Sequence, residues 1–171
     1  MKNDAVTLCP MTRALCHALF RDFQNDPDTF ADMDRFAPFV YDEAWVERYF
    51  EKQQRPDRLS FAILCGGEVV GELLLKDIDR ERRVCTLSIH LQSDAVKNQG
   101  VGTRAEWLAL DYAFGEMGME EVLADATLKN ARSRHVLEKV GFCQTGEDET
   151  FAYYRCARRG GTDEPKRRDD A

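Results

Sequence analysis

The chain has no Cys-x-x-Cys spacing, no apolar run near the ~20 residues that cross a bilayer, and no excess of positive charge. Each absence excludes a class of protein. The six cysteines (Cys9, Cys16, Cys65, Cys85, Cys143 and Cys156) are scattered, mostly inside apolar segments, so they read as buried reduced thiols and no metal is expected. A Cys85–His90 nucleophile pair is disfavoured, because an odd spacing on one strand points the two to opposite faces. Lys plus Arg number 24 against 31 Asp plus Glu, a net charge of −7, which argues against nucleic acid or an anionic membrane as partner. The opening Met1-Lys2-Asn3-Asp4 lacks the apolar core of a secretion signal, so the cytoplasm is the expected compartment. No internal repeat is present, and 171 residues suit one domain with a real core.

What is there alternates strand and helix patterns. A short strand (5–9) precedes a helix (12–23) that Thr12 can cap. A polar-aromatic connector carries Phe30, Met33, Phe36, Phe39 and Tyr41 into a second helix (42–54) with Trp45, Val46, Tyr49 and Phe50 on one face. That face suits core packing or an acceptor pocket. Strands at 60–65 and 68–77 meet at Gly66-Gly67, a hairpin signal, and a charged turn leads to a strand at 84–91. A helix (103–117) places Trp107, Leu110, Phe114 and Met117 at spacings of three, four and three. A strand (121–126), a helix opened by Asn130 and closed by Gly141, and two last strands (142–147 and 150–156) follow. The domain is expected to occupy 1–156, with a charged, disordered tail over 157–171.

Between the fourth strand and the third long helix lies Lys97-Asn98-Gln99-Gly100-Val101-Gly102-Thr103. Glycines let the backbone approach an anion, and the first amides of a helix have no partner within it. A pyrophosphate fits such a site. The loop is not a Walker loop, since Thr103-Arg104 follows the glycines where Lys-Ser/Thr is needed, and it lacks the third glycine of the dinucleotide fingerprint. Downstream, Asn130-Ala131-Arg132-Ser133 precedes Val136-Leu137-Glu138-Lys139-Val140-Gly141-Phe142.

Over about 60–156 these motifs resemble the GNAT family, the GCN5-related N-acetyltransferases, whose acetyl-CoA loop reads Arg/Gln-x-x-Gly-x-Gly/Ala. The Asn-x-x-Ser spacing is similar to the branch of ribosomal-protein N-terminal acetyltransferases. The resemblance implies an α/β fold: a mixed, mostly antiparallel sheet of about six to seven strands, splayed between strands 4 and 5 and flanked by about four helices. It implies acetyl-CoA as cosubstrate, a primary amine as acceptor (a protein N-terminus or a small molecule), and direct transfer. Lys97, Asn98, Gln99, Gly100, Val101, Gly102 and Thr103 would surround the pyrophosphate. The strand end at Ile89 and Leu91 would pair with the pantetheine arm. Asn130 and Ser133 would contact the cofactor arm.

Glu72 or His90 is the candidate base; Glu72 also reads as a surface strand carboxylate. The place where many relatives carry a Tyr acid is Leu137 here, so Ser133 is the expected aid to thiolate departure, with Tyr153 and Tyr154 as alternatives. A monomer or homodimer is expected. The rival reading is a non-catalytic acyl-CoA-binding sensor or interaction module.

Overall fold

The computed structural model describes residues 6–158. Among them the chain forms β1 (Val6–Pro10), α1 (Arg13–Arg21), α2 (Glu43–Gln53), β2 (Leu59–Cys65), β3 (Glu68–Asp79), β4 (Val84–Leu91), α3 (Val101–Gly115), β5 (Glu121–Thr127), α4 (Ala131–Val140), β6 (Cys143–Glu147) and β7 (Phe151–Ala157). The tail expected to be disordered lies outside the described residues from 159 onward.

Local chemistry sets the boundaries. The Thr12 hydroxyl accepts from the Leu15 amide, the Asp42 carboxylate from Trp45 and the Asn130 side chain from Ser133, so each caps a helix. Gly141 closes α4 at φ 112°. Gly66 and Gly67, at φ 61° and 90°, form the two-residue turn between β2 and β3.

The sheet runs β1-β2-β3-β4-β5-β7-β6. All neighbours are antiparallel except β4 and β5. That parallel pair shares only three rungs, Val84–Glu121, Cys85–Val122 and Thr86–Leu123. Beyond Thr86 and Leu123 the strands part, as the splayed sheet requires.

Alternation along the strands divides the core into two. Ile63, Leu73, Leu75, Cys85 and Leu87 pack with α3 and α4, while neighbouring Ala62 packs with Leu19, Phe20 and Val46 of α1 and α2. The expected α3 face is met in part: Leu110 is buried and Phe114 and Met117 pack against the same core, but Trp107 is 39% exposed, and Val101, Ala105, Ala109 and Ala113 complete the buried row. Small side chains let the helix lie close to the strands; the large ring stays outside. The helix also begins at Val101, two residues early, because left-handed Gly100 (φ 78°) is its cap.

The buried-thiol reading holds for Cys16, Cys85 and Cys156, whereas Cys143 is exposed on β6. Burial pushes the Cys16 thiol up to about 12 and Cys85 to about 11, so neither is a ready nucleophile. Cys85 faces the core and His90 the opposite face, so the two never meet.

Candidate functional site

The parting of β4 and β5 opens two adjoining cavities. The smaller, about 190 Å³, lies in the gap itself between Leu87–His90 and Ala124–Thr127. The larger, about 300 Å³, extends from Gly102 and Lys97 to Trp45, Tyr49 and Glu72. Thr29, Ile89, His90, Glu106, Asn130 and Ser133 line both and mark their junction.

At the α3 end, the loop turns through Asn98 at φ 60° and Gly100 at φ 78°. No side chain caps the helix, which leaves its first amides for another partner. A Cβ built on Gly102 would stand in the cavity, with only Leu91 nearby at 3.8 Å. Lys97 occupies the first position of the loop motif, but its Nζ lies 2.6 Å from Asp26 and 2.7 Å from Asp94. Arg132 stands 3.6 Å from Asp94. The Lys97 cation and hydrogen bond hold the Asp94 carboxyl below its usual range. The cluster ties the connector after α1 to the loop before α3. The Thr127 hydroxyl donates to the Asp28 carbonyl and adds a second tie.

At the other end, β3 and β4 pair Glu72 directly with His90. The strands are close there: a Cβ on Gly71 would sit 2.6 Å from the His90 carbonyl oxygen. Glu72 is 1% exposed, which overturns its reading as a surface carboxylate. It accepts from the Tyr49 hydroxyl and, at 2.8 Å, from the Ser60 hydroxyl. Burial and the neighbouring Glu72 charge push the Tyr49 phenol far above its ordinary value, so it remains a donor. The His90 side chain opens into the cavity yet is ringed by protein. That enclosure holds its pKa below the ordinary 6.5, with Glu72 acting to raise it and Lys76 to lower it. Phe20, Phe23, Trp45 and Tyr49 form the adjacent wall, with Trp45 and Tyr49 stacked at 5.2 Å.

The structure therefore brings Glu72, Ile89, His90, Leu91, Lys97, Gly102, Asn130 and Ser133 around one cleft. Asn98, Gln99, Gly100, Val101 and Thr103 line neither cavity. Val101 points its side chain into the core, and the Gln99 amide bonds the Ala95 carbonyl at 2.5 Å. Tyr154 is not brought to the cleft: it is buried beside α4, and its hydroxyl accepts from Arg134 at 3.2 Å. Sequence reasoning missed Glu106. It sits one turn after Gly102 on α3, is 1% exposed, and its Oε2 has no hydrogen-bond partner. Among the described residues, no three His, Cys, Asp or Glu side chains gather as a metal site, and no helix is long and apolar enough to cross a membrane.

The family model for the acetyltransferase (GNAT) domain matches residues 5–143. The chain is 30% identical over 87 residues to spermidine N(1)-acetyltransferase of Escherichia coli (strain K12), an alignment covering 51% of this chain and 46% of the relative. It thus spans about half the length of that curated relative. A structure of spermidine N-acetyltransferase from Vibrio cholerae in complex with CoA and spermine superposes with a TM-score of 0.73 at 15% identity, covering 89% of this chain and 95% of that one. A dodecameric structure of the same Vibrio cholerae enzyme gives 0.68 at 15%, covering 89% and 93%. At such identity the likeness is one of fold.

Proposed function

The chain belongs to the GNAT acetyltransferase family, and from that premise we propose that it moves an acetyl group from acetyl-CoA directly to a primary amine. The observation that carries this reading is the pair of adjoining cavities where β4 and β5 part, the larger of which borders both the uncapped start of α3 and the Glu72–His90 pair.

The residues present fit acetyl-CoA. The open face of Gly102 and the free amides at the start of α3 suit a pyrophosphate. The unpaired edge of β4 at Ile89 and Leu91 suits an extended amide-bearing arm. Because Asp26 and Asp94 already neutralise Lys97, backbone amides carry most of the anion contact. Asn130 caps α4 through its side chain and lines the cleft. When bound, acetyl-CoA supplies an activated acetyl thioester.

His90 is the base. Its lowered pKa keeps it neutral at pH 7, and its side chain opens into the cavity. Glu72 is engaged by two hydroxyls and acts through the field it imposes on His90. Ser133, at the junction of the cavities, offers a hydroxyl to the departing sulfur. Most of the acceleration comes from holding amine and thioester in line. The aromatic wall and Glu72 suit an acceptor with an apolar stem and a cationic end. A polyamine fits that description, in keeping with relatives named for spermidine. Those relatives lend no support to the ribosomal-protein branch. A monomer or homodimer is the proposed assembly; the Vibrio cholerae relative forms a dodecamer.

Incubation with acetyl-CoA and a panel of amines (polyamines, amino acids, peptide N-termini) tests the reading by mass spectrometry. At least one amine should gain an acetyl group. Tight acetyl-CoA binding with no acetylated product from any class would favour the non-catalytic module.

A further inference from the structure

Glu106 is a buried ionisable side chain with one carboxyl oxygen, Oε2, for which the structure supplies no partner. It lies four residues after Gly102, so the two share a face of α3, about 6 Å apart along the axis. Gly102 borders the larger cavity alone, whereas Glu106 borders both, beside Ser133 and Asn130. The carboxyl is 1% exposed and its Oε2 bonds nothing in the protein. A buried, unpaired carboxylate is strongly disfavoured. Burial alone pushes this group up to about 8, so at pH 7 it is a neutral acid with one O–H to donate. The titratable groups bordering the same cavities are His90 on β4, Glu72 on β3, Tyr49 on α2, Asp125 on β5, Arg132 on α4 and the Asp26–Lys97 pair on the loops. No hydrogen bond joins any of them to Glu106, and none is a cause of its shift.

We propose that Glu106 is the catalytic acid, donating its proton to the CoA sulfur where the two cavities meet. The proposal rests on the acetyl transfer set out above and adds the proton source which that reading lacks. A serine hydroxyl can bond a thiolate, but it is too weak an acid to be the net donor. In the balanced step, the amine nitrogen forms a bond to the thioester carbonyl carbon and the carbon–sulfur bond breaks. One amine proton passes to His90. The Glu106 proton passes to sulfur, releasing a thiol and leaving a carboxylate. That carboxylate regains its proton from solvent once the cleft empties, and His90 returns its own.

Glu106→Gln keeps the shape and removes the acid. Three readouts apply: saturating kcat against pH, acetyl-CoA affinity by calorimetry, and the infrared C=O stretch of a protonated buried carboxyl. The wild type should lose kcat as pH rises through about 8 and should show the protonated-carboxyl band at pH 7. The variant should lack both the band and the alkaline limb. Its kcat should fall roughly 100-fold with acetyl-CoA affinity little changed, and Glu106→Asp should restore part of the rate. Wild-type turnover in Glu106→Gln, an alkaline limb that survives, or loss of affinity with kcat retained would each overturn the role. An absent band at pH 7 would do so without reference to activity. If the wild type acetylates no amine, the transfer reading itself fails; if it does and Glu106→Gln matches it, only the Glu106 assignment fails.

Discussion

Replacing Glu106 by Gln should remove a load on stability that grows with pH in a defined way. The ordinary value for this carboxyl is 4.5 and burial raises it to about 8 in the fold. Below pH 4.5 the folded and unfolded chains both hold the proton, and ionisation places no load on folding. As pH rises toward 8, the unfolded chain releases the proton while the folded chain keeps it. The unfolded state is thereby favoured, so native stability drains away across this window. Each pKa unit is worth 1.36 kcal/mol, so the gap from 4.5 to pH 7 amounts to roughly 3 kcal/mol. Gln cannot ionise and is spared this loss. Any fixed penalty for burying its amide is the same at every pH and cancels when the difference between the proteins is followed. Urea unfolding of both at several pH values between 4.5 and 8, with matching m-values, reads that difference. It should grow by roughly 3 kcal/mol between pH 4.5 and 7, about 6–12 °C in melting temperature for a chain of 171 residues. A stability difference that stays flat with pH would show that Glu106 is ionised in the fold and would refute the reasoning.

Other perturbations probe the rest of the cleft. Ser133→Ala should lower kcat roughly 10-fold to 100-fold with acetyl-CoA affinity nearly unchanged, since one hydrogen bond to a charged group is worth ~1.5–3 kcal/mol; unchanged kcat in steady-state kinetics would remove the hydroxyl from the chemistry. Asn130→Ala should cost about 1 kcal/mol of stability as a lost helix cap and should also weaken acetyl-CoA binding. Calorimetry showing wild-type affinity alongside a lowered melting point would leave it only a cap. Glu72→Gln removes the charge that raises His90, so the His90 pKa should fall further and the acid limb of kcat/KM should move to lower pH. A limb that moves up, or stays in place, would take the base role away from His90.

The backbone turns that open α3 and bound α4 were legible because their signals are local. Two glycines, an Asn cap and a Gly closure act through backbone geometry within a few residues, and each does in the structure what its chemistry dictates. Glu72 was harder. Its surface reading followed from charge alone, yet it stands in Val69-Val70-Gly71-Glu72-Leu73-Leu74-Leu75, a near-continuous apolar run of the kind a strand buried on both faces carries. That run was the available signal. Glu106 was hidden by the helix pattern. The exposed Trp107 drew the apolar stripe to itself, whereas Val101, Ala105, Ala109 and Ala113 lie in the buried row with Leu110 and place Glu106 beside them. Only the tertiary packing reveals which stripe meets the sheet. That Tyr154 lies away from the cleft was hidden for a related reason. Alternation along β7 tells which residues share a face, not which face borders the cleft.

The most direct measurement is the rate of thiol release from acetyl-CoA by the wild-type chain, with and without a primary amine. Amine-dependent release that saturates, matched mole for mole by N-acetylated product, is the result this account predicts. Acetyl-CoA that binds but releases thiol no faster with polyamine, amino acid or peptide than with buffer alone would contradict it.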